Sequence, residues 1–307
     1  MNELHLHIDG SIRKETLKEW CPDLHVHSFG FRKGMNLREC LNCFAITVGA
    51  INTPSRMERA VRELCEDQKK IGTDKSELRF APHIHGPSAK EMLDGAVRGL
   101  DDDSSLVLCG LYGNNPKTIE ELVELAKEEP RVVGIDVAGG PKNTDKWGLH
   151  HYVDAYQEAN THGIGTTVHV GEGRSAMEII DAITLLNPRR LGHACSLLEE
   201  QRALDLVLDR TIVIEACPTS NLHTGIYKSP SQHPIRKWIE KGVRVSVCAD
   251  NSLMSGTNTI AELWSTRFFS SLDDRHMRWI KESSELGLFR RKKYEDADTI
   301  VPAVVCK

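Results

Sequence analysis

Short apolar runs rich in β-branched residues alternate with longer amphipathic segments along the whole 307-residue chain. Eight of these runs have the length and composition of buried strands: residues 3–9, 78–85, 106–113, 132–140, 166–172, 190–195, 212–220 and 244–252. The segments between them carry apolar residues at helical spacing, and several end at glycine or proline. A strand followed by a helix, repeated eight times, predicts an α/β protein with a (β/α)8 TIM barrel.

One connection is much longer than the others. Residues 13–77 separate the first two predicted strands, which is too many for one loop and one helix. We expect extra helices there, with NLRECLNCFAITVGAI (36–51) as a lid over the carboxyl ends of the strands. No linker or change of composition divides the chain, so residues 1–307 are predicted to form one barrel domain that ends in a closing helix.

Polar side chains cluster at the carboxyl ends of the predicted strands, where a buried strand is otherwise apolar. They are His5, His7, Asp9, His83, Asp136, His169, Glu172, His193, Asp250 and Asn251. Barrel enzymes assemble their active sites at this face, with one or two side chains from each strand end. The sequence therefore predicts a site built from residues that are far apart along the chain.

His5 and His7 form a His-x-His pattern on the first predicted strand. Residues two apart in a strand point to the same face at roughly 6.5–7 Å, so both imidazoles can reach one ion. His169 and Asp250, from other strands, supply a third nitrogen and an oxygen. This donor set suits one Zn²⁺ whose shell a water completes, with iron, cobalt and manganese as alternatives.

The same pattern recurs at His25/His27 and at His83/His85. The pair at 25 and 27 lies in a connection flanked by proline and glycine, so we predict lid surface there. His83 is predicted to face the site, whereas His85, which precedes Gly-Pro, is predicted to be a loop residue. The surrounding sequence, and not the His-x-His pattern alone, therefore distinguishes the three histidine pairs.

Glu172 follows His169 by three residues, at the turn that leaves the fifth predicted strand. A carboxyl group buried beside a ligand pocket has a raised pKa and can act as a general acid. The alternative is a carboxylate that favours a helix N-terminus through the macrodipole. His193 is predicted to hold the attacking water or to stabilise charge that develops on its oxygen.

The net charge of −5 and the lack of a Lys/Arg-rich run argue against nucleic acid or a membrane surface as the partner and favour a small ligand. The first ten residues lack the features of a signal peptide and no stretch is long enough to span a bilayer, so a cytoplasmic protein is predicted.

The nine cysteines are odd in number and several lie in apolar runs, which predicts packed thiols. The lone C-x-x-C at Cys40 and Cys43 has helical surroundings and no second pair, which disfavours a zinc knuckle.

Six blocks resemble, in order, the signature blocks of the adenosine deaminase family of metal-dependent amidohydrolases. They are ELHLHIDGSIRKETL, VVGIDVAGG, TVHVGEG, RLGHACSLLEE, EACPTSNLHTGI and VSVCADNSLMSGT. The resemblance implies a TIM-barrel enzyme with one zinc that converts adenosine or 2′-deoxyadenosine to inosine or 2′-deoxyinosine and ammonia. In that family a metal-activated water attacks purine C6.

The resemblance also implies a role for each matching residue. The metal ligands would be His5, His7, His169 and Asp250, with Glu172, His193 and Asp250 as the catalytic set. Glu172 would protonate purine N1 and His193 would orient the hydroxide. Gly139 would offer its backbone N–H to N3 and Asp9 would contact a ribose hydroxyl. Asp136 and Asn251 complete the substrate-binding residues that we predict.

The chain departs from the family at Asn251, because many members carry a second aspartate there, followed by proline. An asparagine amide donates to purine N7 at any pH, so we expect purine recognition to survive. A changed preference is the alternative: adenine, a 5′-substituted adenosine or an AMP-like substrate. An inactive nucleoside-binding barrel is a further alternative.

Two related enzyme types are disfavoured. The cytidine deaminase signature is missing, and the fourth strand lacks the lysine that bridges two metals in binuclear amidohydrolases. The sequence indicates no oligomeric state.

Overall fold

The structure is a computed structural model that describes residues 1–25 and 29–291. Its parallel strands are β1 Glu3–His7, β2 Ser76–Phe80, β3 Ser104–Leu111, β4 Val132–Ala138, β5 Gly165–Thr166, β6 His169–Val170, β7 Arg190–His193, β8 Val213–Ala216 and β9 Arg244–Val247. Hydrogen-bonded neighbours follow chain order, from β1 to β5 in one sheet and from β6 to β9 in another.

Backbone hydrogen bonds join these two sheets at both edges. β5 and β6 are two pieces of the fifth barrel strand, since Thr167 N donates to Ile135 O at 3.0 Å and Gly192 N donates to Val168 O at 2.9 Å. At the other edge, β1 lies beside the end of β9, where His7 N donates to Asp250 O at 2.8 Å. The predicted (β/α)8 barrel is confirmed, with its fifth strand interrupted.

Helices follow the strands and cover the outside of the barrel. They are α1 Lys14–Trp20, α2 Leu37–Ala50, α3 Pro54–Ile71, α4 Ala89–Gly99, α5 Pro116–Glu128, α6 Val153–Thr161, α7 Ala176–Leu186, α8 Gln201–Asp209, α9 Pro218–His223, α10 Ile235–Glu240, α11 Ser252–Ser255, α12 Thr259–Phe269 and α13 Asp274–Gly287. The apolar core lies between strands and helices, where Leu78 and Ile135 belong to the same buried cluster as Leu64 and Ile183. The closing helix is confirmed as α13.

Three helices occupy the long connection between β1 and β2, as predicted. α2 begins with a capping box: Asn36 Oδ1 accepts from Glu39 N at 3.1 Å, and Glu39 Oε2 accepts from Asn36 N at 2.8 Å. These bonds satisfy backbone donors that the first helical turn leaves free. Leu37, Leu41 and Phe44 of this helix line a cavity that also contains His7. The predicted lid over the carboxyl ends of the strands is therefore confirmed.

Several predicted strands extend too far at their carboxyl ends. β2 ends at Phe80, and residues 82–84 form a 3₁₀ turn. β8 ends at Ala216 and α9 starts at Pro218. Both errors arise at a proline, whose fixed φ and missing N–H favour the first turn of a helix over a strand. The prediction that His83 ends the second strand is wrong.

Some predictions concern residues whose structure is not described. His27 is one of residues 26–28, and the chain after Arg291 also lies outside the described part. The eight cysteines that are described are all free, in agreement with packed thiols. No described helix combines the length and the apolar character needed to cross a bilayer.

Candidate active site

Four predicted metal ligands meet inside the barrel, at the carboxyl ends of its strands. The Nε2 atoms of His7 and His169 are 3.3 Å apart. Asp250 Oδ1 lies 3.4 Å from His5 Nε2 and 3.6 Å from His7 Nε2. His5 is fully buried, and the side chain of His7 is 13% exposed toward the cavity. The structure thus brings residues from β1, β6 and the end of β9 to one point.

Three distances within this cluster, of 3.3, 3.4 and 3.6 Å, match those between two ligands of one tetrahedral ion. Among the described residues, the groups of three donors whose atoms all lie within 4.8 Å of one another are His5, His169 and His193, and His5, Cys217 and Asp250. Ligands about 2.0–2.2 Å from Zn²⁺ are separated from one another by about 3.3–3.5 Å in tetrahedral geometry. His5 Nε2 is buried and faces Asp250 Oδ1, so this nitrogen points into the cluster. Burial lowers the pKa of His7 to about 3, so this imidazole is neutral, as a ligand must be.

His5 behaves differently, because two carboxylates flank it. Burial and the charge of Arg79 act to lower the pKa of His5, but the bonds with Asp250 and Glu215 raise it to about 9. A cation bound at Nε2 must therefore displace a proton from this ring.

Carboxylates behind the ligands fix which imidazole nitrogen faces the cluster. His5 Nδ1 lies 2.7 Å from Glu215 Oε2, and His169 Nδ1 lies 3.0 Å from Asp136 Oδ2. Because each carboxylate accepts, each Nδ1 carries the proton and each Nε2 is turned toward the cluster. Asp136 was predicted to bind substrate. The structure instead buries it completely behind His169, away from the residues that line the two cavities described below.

Glu172 and His193 lie beside the cluster. Burial, followed by the charge of Asp250, raises the pKa of Glu172 to about 7. Glu172 Oε2 is 3.9 Å from His193 Nε2, and His193 Nδ1 lies 3.1 Å from the side-chain amide nitrogen of Asn221. With this amide assigned as the donor to Nδ1, Nε2 of His193 holds the proton and faces Glu172.

Two of these residues adopt strained backbone conformations. His193 has a φ of 63° and Asp250 a φ of 62°, in the left-handed region that residues with side chains rarely occupy. Each such residue costs about 1–3 kcal/mol and persists only where its surroundings enforce it. For Asp250, the bonds from its N–H to His5 O and from His7 N–H to its own carbonyl provide that enforcement.

The turn that carries Glu172 is held from outside the barrel. Tyr112 Oη donates to His169 O at 2.7 Å. Glu178 accepts from Gly171 N at 2.7 Å and from Arg174 Nε at 2.9 Å. These bonds tie both ends of the turn to α7 and to the end of β3, so Glu172 is presented on a fixed backbone.

Two connected cavities open beside these residues. In the first, three of the four predicted ligands, His7, His169 and Asp250, lie on one side together with Glu172 and His193, and α2 lies on the other side; His5 does not line it. The second, of about 350 Å³, contains Asp9 and shares Gly139 with the first. Gly139 has a φ of 76° and no atom within 4 Å of where a Cβ would stand, so its backbone can approach a ligand closely.

The family model described as "Adenosine deaminase" matches residues 1–289. An adenosine deaminase from Clostridium perfringens strain SM101 is 32% identical over 288 residues, which are 85% of each chain. The chain belongs to the adenosine deaminase family. It is accordingly a hydrolase that acts on carbon–nitrogen bonds.

Solved structures share the fold of this family member. The N6-methyl-AMP deaminase from Arabidopsis thaliana has a TM-score of 0.82 and 23% identity, and the match covers 94% of this chain and 91% of that one. An amidohydrolase from Burkholderia ambifaria, with bound Zn, has a TM-score of 0.82 and 19% identity, covering 94% and 85%. At these identities the similarity concerns the barrel and not the substrate.

The deaminase also contains site residues that the sequence analysis missed. Fully buried Arg79 on β2 donates from Nη1 to Asp136 Oδ2 at 2.8 Å and from Nη2 to Glu215 Oε2 at 3.0 Å. Burial alone would raise the pKa of Glu215, but the charges of Arg79 and Arg190 lower it. Arg79 therefore connects the two carboxylates that hold His5 and His169. The available signal was a charged residue in the middle of a strand that is otherwise buried.

His85 is a second missed residue. It is 2% exposed; its Nε2 lies 3.2 Å from Asp9 Oδ2, and its Nδ1 lies 3.2 Å from Ile51 O. The predicted loop residue is thus a buried partner of Asp9. His83, which was expected to face the site, is not among the residues that line the two cavities.

Asn251, where the chain departs from the family pattern, lines the first cavity. Its side chain packs directly on Gly10, since a Cβ built on Gly10 would be 1.9 Å from Asn251 Oδ1. Gly10 is thus required by this close approach and holds the amide against the loop that follows β1.

Proposed function

We propose that this deaminase hydrolyses adenosine and 2′-deoxyadenosine to inosine or 2′-deoxyinosine and ammonia, with one Zn²⁺ held by His5, His7, His169 and Asp250. The convergence of these four ligand atoms beside Glu172 carries the proposal. The zinc in the Burkholderia amidohydrolase supports the choice of metal. When bound, zinc supplies a nucleophile at neutral pH by lowering the pKa of a water to about 7.

In this proposal Glu172 donates the proton and His193 orients the water. With a pKa of about 7, Glu172 is partly protonated near neutrality and can donate its proton to purine N1. Protonation at N1 makes C6 more electrophilic. His193 orients the water that attacks C6 through its Nε2. Of the two protons of the water, one returns to Glu172 and the other passes to the 6-amino group, whose bond to C6 then breaks so that ammonia leaves.

The cavity residues orient the nucleoside. We assign the backbone N–H of Gly139 to purine N3, the amide of Asn251 to N7 and Asp9 to a ribose hydroxyl. All three line the cavities. Asp9 Oδ1 is buried and lacks a hydrogen-bond partner within the described residues, so a donor from the ligand satisfies it. Asp136 acts behind His169 as a positioning residue.

The substrate assignment is tested with purified, zinc-loaded protein and the ultraviolet change from adenine to hypoxanthine. We expect the highest kcat/KM for adenosine and 2′-deoxyadenosine in a panel that also contains adenine and AMP. A higher kcat/KM for adenine or AMP would contradict the assignment. The name of the Clostridium relative supports adenosine, whereas that of the Arabidopsis protein makes AMP the essential competitor in this panel.

The role of Glu172 is tested by Glu172→Gln, which keeps the shape of the side chain but cannot deliver the proton. We expect kcat to fall by about 10²–10⁴-fold, as for loss of a general acid. Zinc content, measured by elemental analysis, should equal that of the parent. The matched control is Glu199→Gln, an exposed position outside the catalytic cavity. Parental activity in Glu172→Gln would rule out the assigned proton donor.

A further inference from the structure

The second cavity is larger than a ribose requires and has apolar walls. One face of α2 supplies Leu41, Phe44, Ala45 and Val48, which recur at helical spacing. The opposite wall consists of strand ends and the turn after β2, including Ala81, Leu111 and Ile84. Leu41 and Ile84 are 38% and 40% exposed, because the cavity between them is open. These exposed apolar side chains therefore form a ligand surface.

The charged residues that line this cavity do not favour an anionic ligand. Within the described part of the chain, Asp9 and Lys142 are its only lining residues of the types Asp, Glu, Lys and Arg, and Lys142 is exposed at the rim. Asp9, by contrast, is buried and presents an unpartnered carboxylate oxygen. Beside Gly140, the guanidinium of Arg174 is paired with Glu178 at 2.9 Å. A phosphate, with nearly two negative charges, would meet a carboxylate and no unpaired buried cation.

We propose that this cavity takes the 5′ end of the nucleoside and selects neutral apolar 5′ substituents, such as a thioether, over a 5′-phosphate. This inference rests on the proposed function, because the purine must occupy the first cavity with its ribose at Asp9. In the proposed pose, the 5′ carbon points along the wall of α2. An apolar group there removes the surfaces of Leu41 and Val48 from water, whereas a phosphate loses part of its hydration and finds no cation except Lys142 at the exposed rim.

The test compares kcat/KM for adenosine, 5′-deoxy-5′-(methylthio)adenosine and AMP with the zinc-loaded enzyme. We expect the thioether to be at least as good a substrate as adenosine, and AMP to be about 100-fold worse, because the cavity leaves the phosphate without a buried cation and an imperfectly paired group loses affinity when it is desolvated. Equal or better turnover of AMP than of the thioether would overturn the inference. The proposed function would survive that result as long as adenosine is deaminated.

Two lysine substitutions on α2 provide the matched control. Ala45→Lys adds a cation at an exposed position that lines the cavity, and Ile46→Lys adds one at a position 40% exposed that does not line it. We expect Ala45→Lys to raise the AMP-to-thioether ratio of kcat/KM about tenfold or more, and Ile46→Lys to leave it near the parental ratio. An equal change in both variants would contradict a role for this wall.

Ligand-induced shifts in Tm keep the inference testable without turnover. At equal concentrations, the thioether should raise Tm more than AMP does, because a ligand that binds only the native state stabilises it according to its affinity. If no compound is deaminated, the proposed function fails, and the order of these Tm shifts still decides the inference. A larger shift with AMP would reject it.

Discussion

His5/His7 and His83/His85 share the same spacing, the first pair on β1 and the second just after the neighbouring β2, yet the fold uses them in opposite ways. In β1 the extended backbone turns both imidazoles to the barrel interior, where His7 meets His169. After β2, Pro82 starts a 3₁₀ turn, and His85 folds back to Ile51 and Asp9. A histidine bonded at both nitrogens has no lone pair for an ion. The backbone and the groups behind each ring therefore determine which pair can hold a metal.

The largest expected effect separates these two pairs directly. His5→Gln removes a predicted ligand and its imidazole contact with Glu215, so we expect zinc content after dialysis to fall to background and kcat to fall with it. His85→Gln should retain one zinc per chain. Elemental analysis and the adenosine assay measure both. Loss of zinc in His85→Gln to the same degree would show that the second pair also contributes to the metal site.

The next effect concerns the support behind the first pair. Arg79→Met breaks the connection between Asp136 and Glu215, and we expect zinc affinity, measured by competition with a chromophoric chelator, to fall about 10–100-fold. Arg190→Met is the matched control, because Arg190 is equally buried and bonds Glu215 through Oε1, not through the oxygen that holds His5. Urea unfolding should show that each variant loses roughly 3–5 kcal/mol, since each breaks a buried ion pair.

The two arginine variants must be compared at similar stability. A decrease in zinc affinity for Arg79→Met that Arg190→Met does not share assigns the effect to the connection between the carboxylates. Equal decreases in zinc affinity would instead indicate that the loss of stability weakens zinc binding in both variants. Arg79 would then have no special role as a positioning residue.

The smallest effect concerns the second pair alone. His85→Phe keeps an aromatic ring but removes the donor to Asp9, so the free energy of unfolding should fall by about 1 kcal/mol. We expect KM for adenosine to rise by about threefold to tenfold while kcat stays within about twofold, because the contact that we propose for Asp9 is with the ribose and not with the reacting atoms. Steady-state kinetics and urea titration measure these quantities. An unchanged KM would mean that Asp9 is positioned without His85.

The sequence predicted those parts of the molecule that depend on periodicity. Alternating strands and helices predict the barrel, and polar residues at strand ends predict where His5, His169, Glu172 and Asp250 meet. Arg79 and Glu215 escaped prediction because a charge in a buried strand has meaning only once its partner, on a distant strand, is known. Asp136 was assigned to the substrate for the same reason, since its bond to His169 is a property of the closed barrel.

The seam between β1 and the end of β9 has a consequence for biosynthesis. β1 leaves the ribosome before the other strands of the barrel, whereas the segment around Asp250 that completes its pairing follows β9. Until then, the strand bearing His5 and His7 has an open edge. A nascent chain that ends before β9 contains most of the helices but lacks Asp250. Its catalytic centre therefore cannot form until β9 and the segment after it have been translated.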